Sequence, residues 1–293
     1  MAIAATERAP LKAIVAMMAG AALLTGSDAA SKYLTQYYPV GQVICLRQAA
    51  TVLMILPYIM LVTGWHATRV VNWSGQTLRG LLFVVGAGFM VYSLSVLPLT
   101  TVIAIVFTNP FIVALLSAPM LGERVGLRRW IAVGIGFAGV LLIVQPGTAG
   151  FAWVLVLPMI TALANGLRDI VTRQLSRTET SISILLWSTL IVMFAGLLTA
   201  PFGWRAVDVH GVLWFLLAGL FNAGAHFLVI EALRLGEPSL VSPFRYTAFL
   251  WAVLFGFLLW GEIPGWWVAA GVGLIICGGL FTLHGEARRA RHS

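Results

Sequence analysis

The sequence predicts an all-α integral membrane protein of ten transmembrane helices, built as two inverted five-helix repeats with both termini in the cytoplasm. Three observations predict it. The 293-residue chain is 60% hydrophobic and only 10% charged, with a mean hydropathy of +0.96, whereas a soluble domain carries about a quarter charged residues. Its Lys and Arg residues gather on one side of the apolar runs. Two local patterns recur after about 140 residues, the mark of an internal repeat.

Taking the spans in order, a helix that crosses hydrocarbon needs about 20 mainly apolar residues. The segments 12–33, 40–62, 77–97, 100–121, 128–145, 151–173, 181–201, 211–233, 238–260 and 266–283 qualify. Backbone groups cannot stay unpaired in lipid, and none of these stretches alternates as a barrel strand does, so each is read as a helix. Residues 8–24 mimic a signal peptide, with Arg8 and Lys12 ahead of an apolar run. The same segment recurs in the middle of the chain, where no signal peptide can stand, so the first span is kept as a helix.

With the N-terminus inside, thirteen of the eighteen basic residues fall in cytoplasmic regions: Arg8, Lys12, Arg69, Arg79, Arg124, Arg128, Arg129, Arg173, Arg177, Arg234, Arg288, Arg289 and Arg291. Only Lys32 and Arg205 fall outside, and Arg47, Arg168 and Arg245 lie within spans. That asymmetry sets the topology.

The repeat is read from two matches. Asp28, Ser31, Lys32 and Leu34 correspond to Asp169, Thr172, Arg173 and Leu175. Gly122-Glu123 with Gly126, Gly134 and Gly139 corresponds to Gly261-Glu262 with Gly265, Gly273 and Gly278. Residues 1–148 and 149–293 are therefore two copies of one unit. Each has an odd number of spans, so the second enters the membrane upside down. The first Gly-Glu turn is followed by Arg124, Arg128 and Arg129, the second by the interfacial aromatics Trp266 and Trp267. Inverted repeats of this kind characterise secondary transporters, with the substrate near the midplane between the copies.

Other classes find little support. No Walker A segment occurs, and the five histidines show no metal spacing, so neither nucleotide, cofactor, metal nor catalytic residue is expected. The net charge of +8 does not form the basic face a nucleic-acid partner needs. Gly134-Ile-Gly136-Phe-Ala-Gly139 fits a dinucleotide fingerprint but sits in mid-span after no strand. Cys45 and Cys277 lie in apolar stretches, which suggests no disulfide. Gly134 with Ala138 and Ala269 with Gly273 are small-residue pairs expected to bring helices five and ten close to a neighbour, either each other or a second subunit. Monomer and homodimer both stay open. Pro57, Pro110, Pro119, Pro158 and Pro243 are expected to interrupt spans, with bends in the fourth and ninth helices at Pro110 and Pro243.

The doubled Leu/Trp-Gly-Glu turn, each followed by a glycine-spaced helix, resembles the drug/metabolite transporter superfamily in its ten-helix form with two EamA-type repeats. The segment 232–243, Ala-Leu-Arg-Leu-Gly-Glu-Pro-Ser-Leu-Val-Ser-Pro, is similar to that family's eighth-to-ninth helix junction. Within the superfamily the chain looks most similar to YddG-type amino acid exporters. The resemblance implies a bacterial-type inner-membrane protein that exports aromatic and other neutral amino acids, or another small metabolite, by alternating access. It also implies a cavity lined by helices one, three, four, six, eight and nine.

Ionisable groups inside spans are functional candidates, because each costs several kcal/mol unless paired or hydrated. Arg47, Arg168 and Arg245 stand against Asp28, Asp169 and Glu231. At about 1.5 Å per residue, Asp28 and Arg47 lie at similar depth near the outer side, and Asp169, Glu231 and Arg245 near the inner side. The expectation is an outer pair, Asp28 with Arg47, and an inner cluster of the other three. These charges are structural pairs, alternating gates or holders of a zwitterion; spacing does not separate the three. Candidate cavity-lining residues are Tyr92, Asn109, Asn165, Asn222, His226, Ser242 and Tyr246, polar positions on inward-facing helices. Asn222 and His226 share a helical face, as do Asn165 and Asp169.

Overall fold

The computed structural model describes residues 10–109, 111–113, 115–116, 127–145, 152–175, 178–235 and 242–290. Its helices are α1 (Pro10–Leu34), α2 (Val40–Tyr58), α3 (Trp73–Val96), α4 (Leu99–Val106), α5 (Leu127–Val144), α6 (Val156–Leu175), α7 (Ser181–Leu197), α8 (Val209–Leu235), α9 (Ala248–Trp260) and α10 (Trp266–Ala290). Each coincides with one expected span, and no strand occurs among the described residues. Five apolar segments, beginning at Leu11, Val40, Trp73, Trp153 and Val209, are long enough to cross a bilayer; the rest are shorter.

The shortening of α4 and α9 has a local cause. Helix α4 stops at Val106, Phe107 and Thr108 turn, and helical geometry returns at residue 109. Pro110 and Pro119 lie outside the described residues. Before α9 the chain makes a tighter 3-10 turn, Ser242–Thr247, that contains Pro243, which has no amide hydrogen to give a regular helix. Pro57 near the end of α2 precedes a π-helical turn, Ile59–Thr63. Pro158 interrupts nothing, contrary to expectation. It is the third residue of α6, in the first turn, where a helix has no use for its amide hydrogens.

Packing follows the repeat. Helix α1 lies against α8 and α9, and its counterpart α6 lies against α3 and α4. Helix α2 packs on α7 and α8, α7 packs on α2 and α3, and α5 packs on α10. Exchanging the two halves leaves this pattern unchanged, and all of these contacts run between halves. The helix starts repeat as well. Asn72 accepts the Gly75 amide at 2.9 Å ahead of α3, and Asp208 accepts the Gly211 amide at 2.8 Å ahead of α8. The Gly211 amide and the Tyr38 hydroxyl, 2.9 Å away, hold the Asp208 carboxyl below its ordinary range.

Because lipid is as apolar as a leucine side chain, helices here are held by close fit more than by hydrophobic burial. A Cβ on Gly80 of α3 would come 2.3 Å from Ile191 of α7, and one on Gly219 of α8 would come 2.4 Å from Ala50 of α2. Gly219 follows Gly80 by 139 residues and Ile191 follows Ala50 by 141, so these are one contact made twice. Helices α5 and α10 cross at Gly139 and Gly271, each of which has the other's carbonyl oxygen 2.5–2.6 Å from where a Cβ would stand. The expected small-residue pairs lie on another face of the two helices. Gly134, Ala138, Ala269 and Gly273 are all exposed, and nothing lies within 4 Å of a Cβ on Gly134 or Gly273. The helices do meet each other, one face round from the predicted pairs.

Gly219→Val should therefore lower stability in detergent by about 1–3 kcal/mol, the usual penalty of overpacking. Gly134→Val should leave the melting temperature within a degree or two of wild type, since a surface change costs only about ±0.5 kcal/mol.

Candidate functional site

The last turns of α1 carry Asp28, Ser31 and Lys32 three and four residues apart, on one face. Arg47 of α2 donates from Nη1 to Ser31 Oγ at 2.9 Å and stands 3.6 Å from Asp28 Oδ1. The Arg47 and Asp28 side chains are 7% and 11% exposed. At 3.6 Å the ion pair is too long for a hydrogen bond, so the serine hydroxyl supplies the direct contact.

One turn further out, Lys32 forms an ion pair with Glu262 that sequence reasoning did not anticipate. Its ammonium also donates to Leu97 O at 3.0 Å and lies 4.8 Å from the centre of the Trp260 ring. The other Glu262 oxygen accepts the Leu99 amide at 2.9 Å, placing negative charge on the free donors that begin α4. Gly261 closes α9 in the left-handed conformation with φ 66°, which glycine adopts without strain. Its amide returns to Phe257 O, the single bond of an αL cap, and that of Glu262 reaches Gly256 O. The Gly-Glu motif thus has a division of labour: glycine turns the chain, and glutamate reaches into the other half. Lys32 and Glu262 belong to the two repeated patterns of the sequence, which here touch. Their sequence counterparts are Arg173, whose side chain lies outside the described residues, and Glu123, which also lies outside them.

On the inner side, Asp169 of α6 accepts a hydrogen bond from Asn109 Nδ2 at 2.9 Å, and its Oδ1 stands 3.6 Å from Arg168 Nη2. The guanidinium carbon of Arg168 lies 4.9 Å from the centre of the Phe83 ring of α3. Arg79, expected in an inner loop, is instead inside α3. It donates to Thr172 Oγ1 at 2.7 Å, to Ser188 Oγ and to Ile184 O, tying α3 to α6 and α7. Thr172 and Ser188 stand 141 residues after Ser31 and Arg47. In each half a guanidinium therefore meets the hydroxyl three residues beyond the aspartate, but in the second half it comes from α3.

The expected inner cluster of Asp169, Glu231 and Arg245 is corrected on this point. The described partners of Asp169 are Arg168 and Asn109, because Arg168 is its chain neighbour, while Arg245 is exposed in the 3-10 turn. Glu231 is half-buried on α8. His226 is half-buried on α8, four residues beyond Asn222. Asn222 is buried and donates to Thr51 of α2 at 3.2 Å, so its described bond is an interhelical tie. Asn165 faces α3, where a Cβ on Gly86 would lie 3.0 Å from its Oδ1. Tyr246 meets Phe107 edge-on at 5.4 Å. No described contact joins half-exposed Tyr92 to either network, and the Ser242 side chain lies outside the described residues.

Two stretches, residues 11–145 and 152–283, each match the EamA-like transporter family. The chain belongs to that family. Between them the matches span nearly all of both halves, which identifies the protein as a multi-pass inner-membrane transporter and, at this level, not an enzyme. Among curated relatives, a riboflavin transporter of Rhizobium johnstonii is 33% identical over 77% of this chain and 72% of its own. A riboflavin transporter of Vibrio cholerae is 26% identical over 86% of each chain. An S-adenosylmethionine uptake transporter of Rickettsia prowazekii is 23% identical over 91% of each. A solved crystal structure superposes with a TM-score of 0.63 at 17% identity, covering 91% of this chain and 96% of the other, which speaks to the fold.

Asp28→Ala should leave Arg47 charged and unpaired in a buried site, costing this EamA protein about 3–5 kcal/mol. Arg47→Met in the same background should restore most of the loss, measured as melting temperature in detergent. If the double variant is no more stable than Asp28→Ala alone, the two side chains are not energetically paired.

Proposed function

We propose that this chain is a secondary transporter of riboflavin or a closely similar flavin, working by alternating access. The cargo reading rests on kinship with the riboflavin transporters, one of which is 33% identical to this chain over 72% of its own length. The relatives named above carry riboflavin or S-adenosylmethionine, so kinship supports a small metabolite over the amino acids expected from the sequence. Net direction follows the gradient, so the same machinery serves uptake as well as export.

Access is governed from the two sides. The outer charges are sealed, with Arg47 and Asp28 at 7% and 11% exposure. The inner ones are more open, with Arg168 and Asp169 at 22% and 39%. On this reading the arrangement faces inward, with Lys32 and Glu262 closing its outer end. Opening outward requires that pair to part and both ions to be hydrated.

Purified protein in liposomes should take up riboflavin with saturation and counterflow, unaffected by excess S-adenosylmethionine or amino acids. Saturable transport of either competitor without riboflavin would overturn the cargo. The outer closure has its own test. In a background lacking Cys45 and Cys277, Lys32→Cys and Glu262→Cys joined by a reducible bis-methanethiosulfonate linker should abolish turnover, and reduction should restore it. Undiminished transport in the linked protein would show that this side need not open.

A further inference from the structure

The inner network is not satisfied by its own members. Asn165, Arg168 and Asp169 lie three and four residues apart, on one face of α6, with Asn109 alongside. Arg168 Nε is a buried donor without a hydrogen-bond partner, which is uncommon in a finished core, and Asn109 Nδ2 carries a second hydrogen beyond the one it gives Asp169. Asp169 spends Oδ2 on Asn109, while Oδ1 stands 3.6 Å from Arg168, beyond hydrogen-bonding distance. The carboxylate is the most exposed of the four groups in the two ion pairs that involve Arg47 and Arg168. The site therefore offers an accessible acceptor between two donor side chains, one of them held over the Phe83 ring.

That order of groups, donor, acceptor, donor, complements a cyclic imide, whose edge presents carbonyl, N–H, carbonyl. We propose that Asp169, flanked by Arg168 and Asn109, binds the imide edge of the flavin pyrimidine ring. Asp169 accepts the N3 hydrogen, and Arg168 and the Asn109 amide donate to the neighbouring carbonyls. The inference rests on the flavin reading above and adds to it the atom by which cargo is chosen. A ligand lacking that hydrogen leaves a desolvated carboxylate without its partner, the situation in which binding sites discriminate most strongly.

The test is titration of full-length protein in detergent with riboflavin and with N3-methylriboflavin, read by quenching of flavin fluorescence. Wild type should bind riboflavin about tenfold or more tightly than the methylated analogue, as loss of one charge-assisted hydrogen bond requires. Asp169→Ala should weaken riboflavin by about the same factor and barely change the analogue, so that the two affinities converge. Asp169→Asn, which keeps an acceptor of the same shape without the charge, should reduce the preference to a few-fold; it decides the matter if the alanine variant fails to fold. Equal binding of both ligands by wild type, or full preference in Asp169→Asn, overturns the imide assignment and leaves the flavin reading standing. Absence of riboflavin binding to wild type removes both.

Discussion

A charge in the bilayer interior must be paired or wet, and in this fold part of that pairing is made across the boundary between the halves. Glu262 of the second half closes on Lys32 and on the start of α4 in the first. Arg79 of the first half closes on Thr172 and Ser188 in the second. The principal helix contacts cross the same boundary. Arg47 and Arg168 meet carboxylates of their own half, whereas Lys32, Arg79 and Asp169 each take a partner from the other one. On the alternating-access reading proposed above, contacts at the two ends of the molecule let one end open while the other holds.

Much of this was legible in the sequence, for physical reasons that can be named. Span number and direction follow from hydropathy and from Lys and Arg placement, both imposed by the bilayer. The meeting of Asp28 with Arg47 follows from depth, since two opposite charges at one level in neighbouring helices have few other partners. Lys32 was misread because a basic residue next to an apolar run looks like a loop charge; its signal was its place four residues after Asp28 in a repeated pattern. Arg79 was misread for the same reason. The small-residue pairs do not mark where α5 crosses α10, because spacing identifies a face but not which face turns toward that neighbour. Gly134 and Gly139 are spaced alike with their counterparts Gly273 and Gly278, yet the crossing uses Gly139 and Gly271.

The repeat is imperfect at its buried charges. Identical halves would place the same guanidinium at equivalent depth on both sides. Here Arg47 serves the outer aspartate from α2, whereas the inner hydroxyl takes Arg79 from α3 and leaves Asp169 with Arg168 beside it in the chain. The outer site is thereby a sealed pair and the inner one a half-open constellation with unspent hydrogen-bonding capacity. On the proposed reading, cargo identity lay beyond the sequence because it is carried by this departure from symmetry, whereas the motifs that recur close the ends.

The central claim is that the outer end opens and shuts while the halves stay packed. It is tested most directly by spin labels at exposed Tyr37 and Ile263, which flank the outer closure, with distances measured by pulsed electron resonance in lipid. Two distance populations are predicted, with riboflavin changing their ratio and leaving their positions fixed. A single population that does not respond to riboflavin would contradict the account.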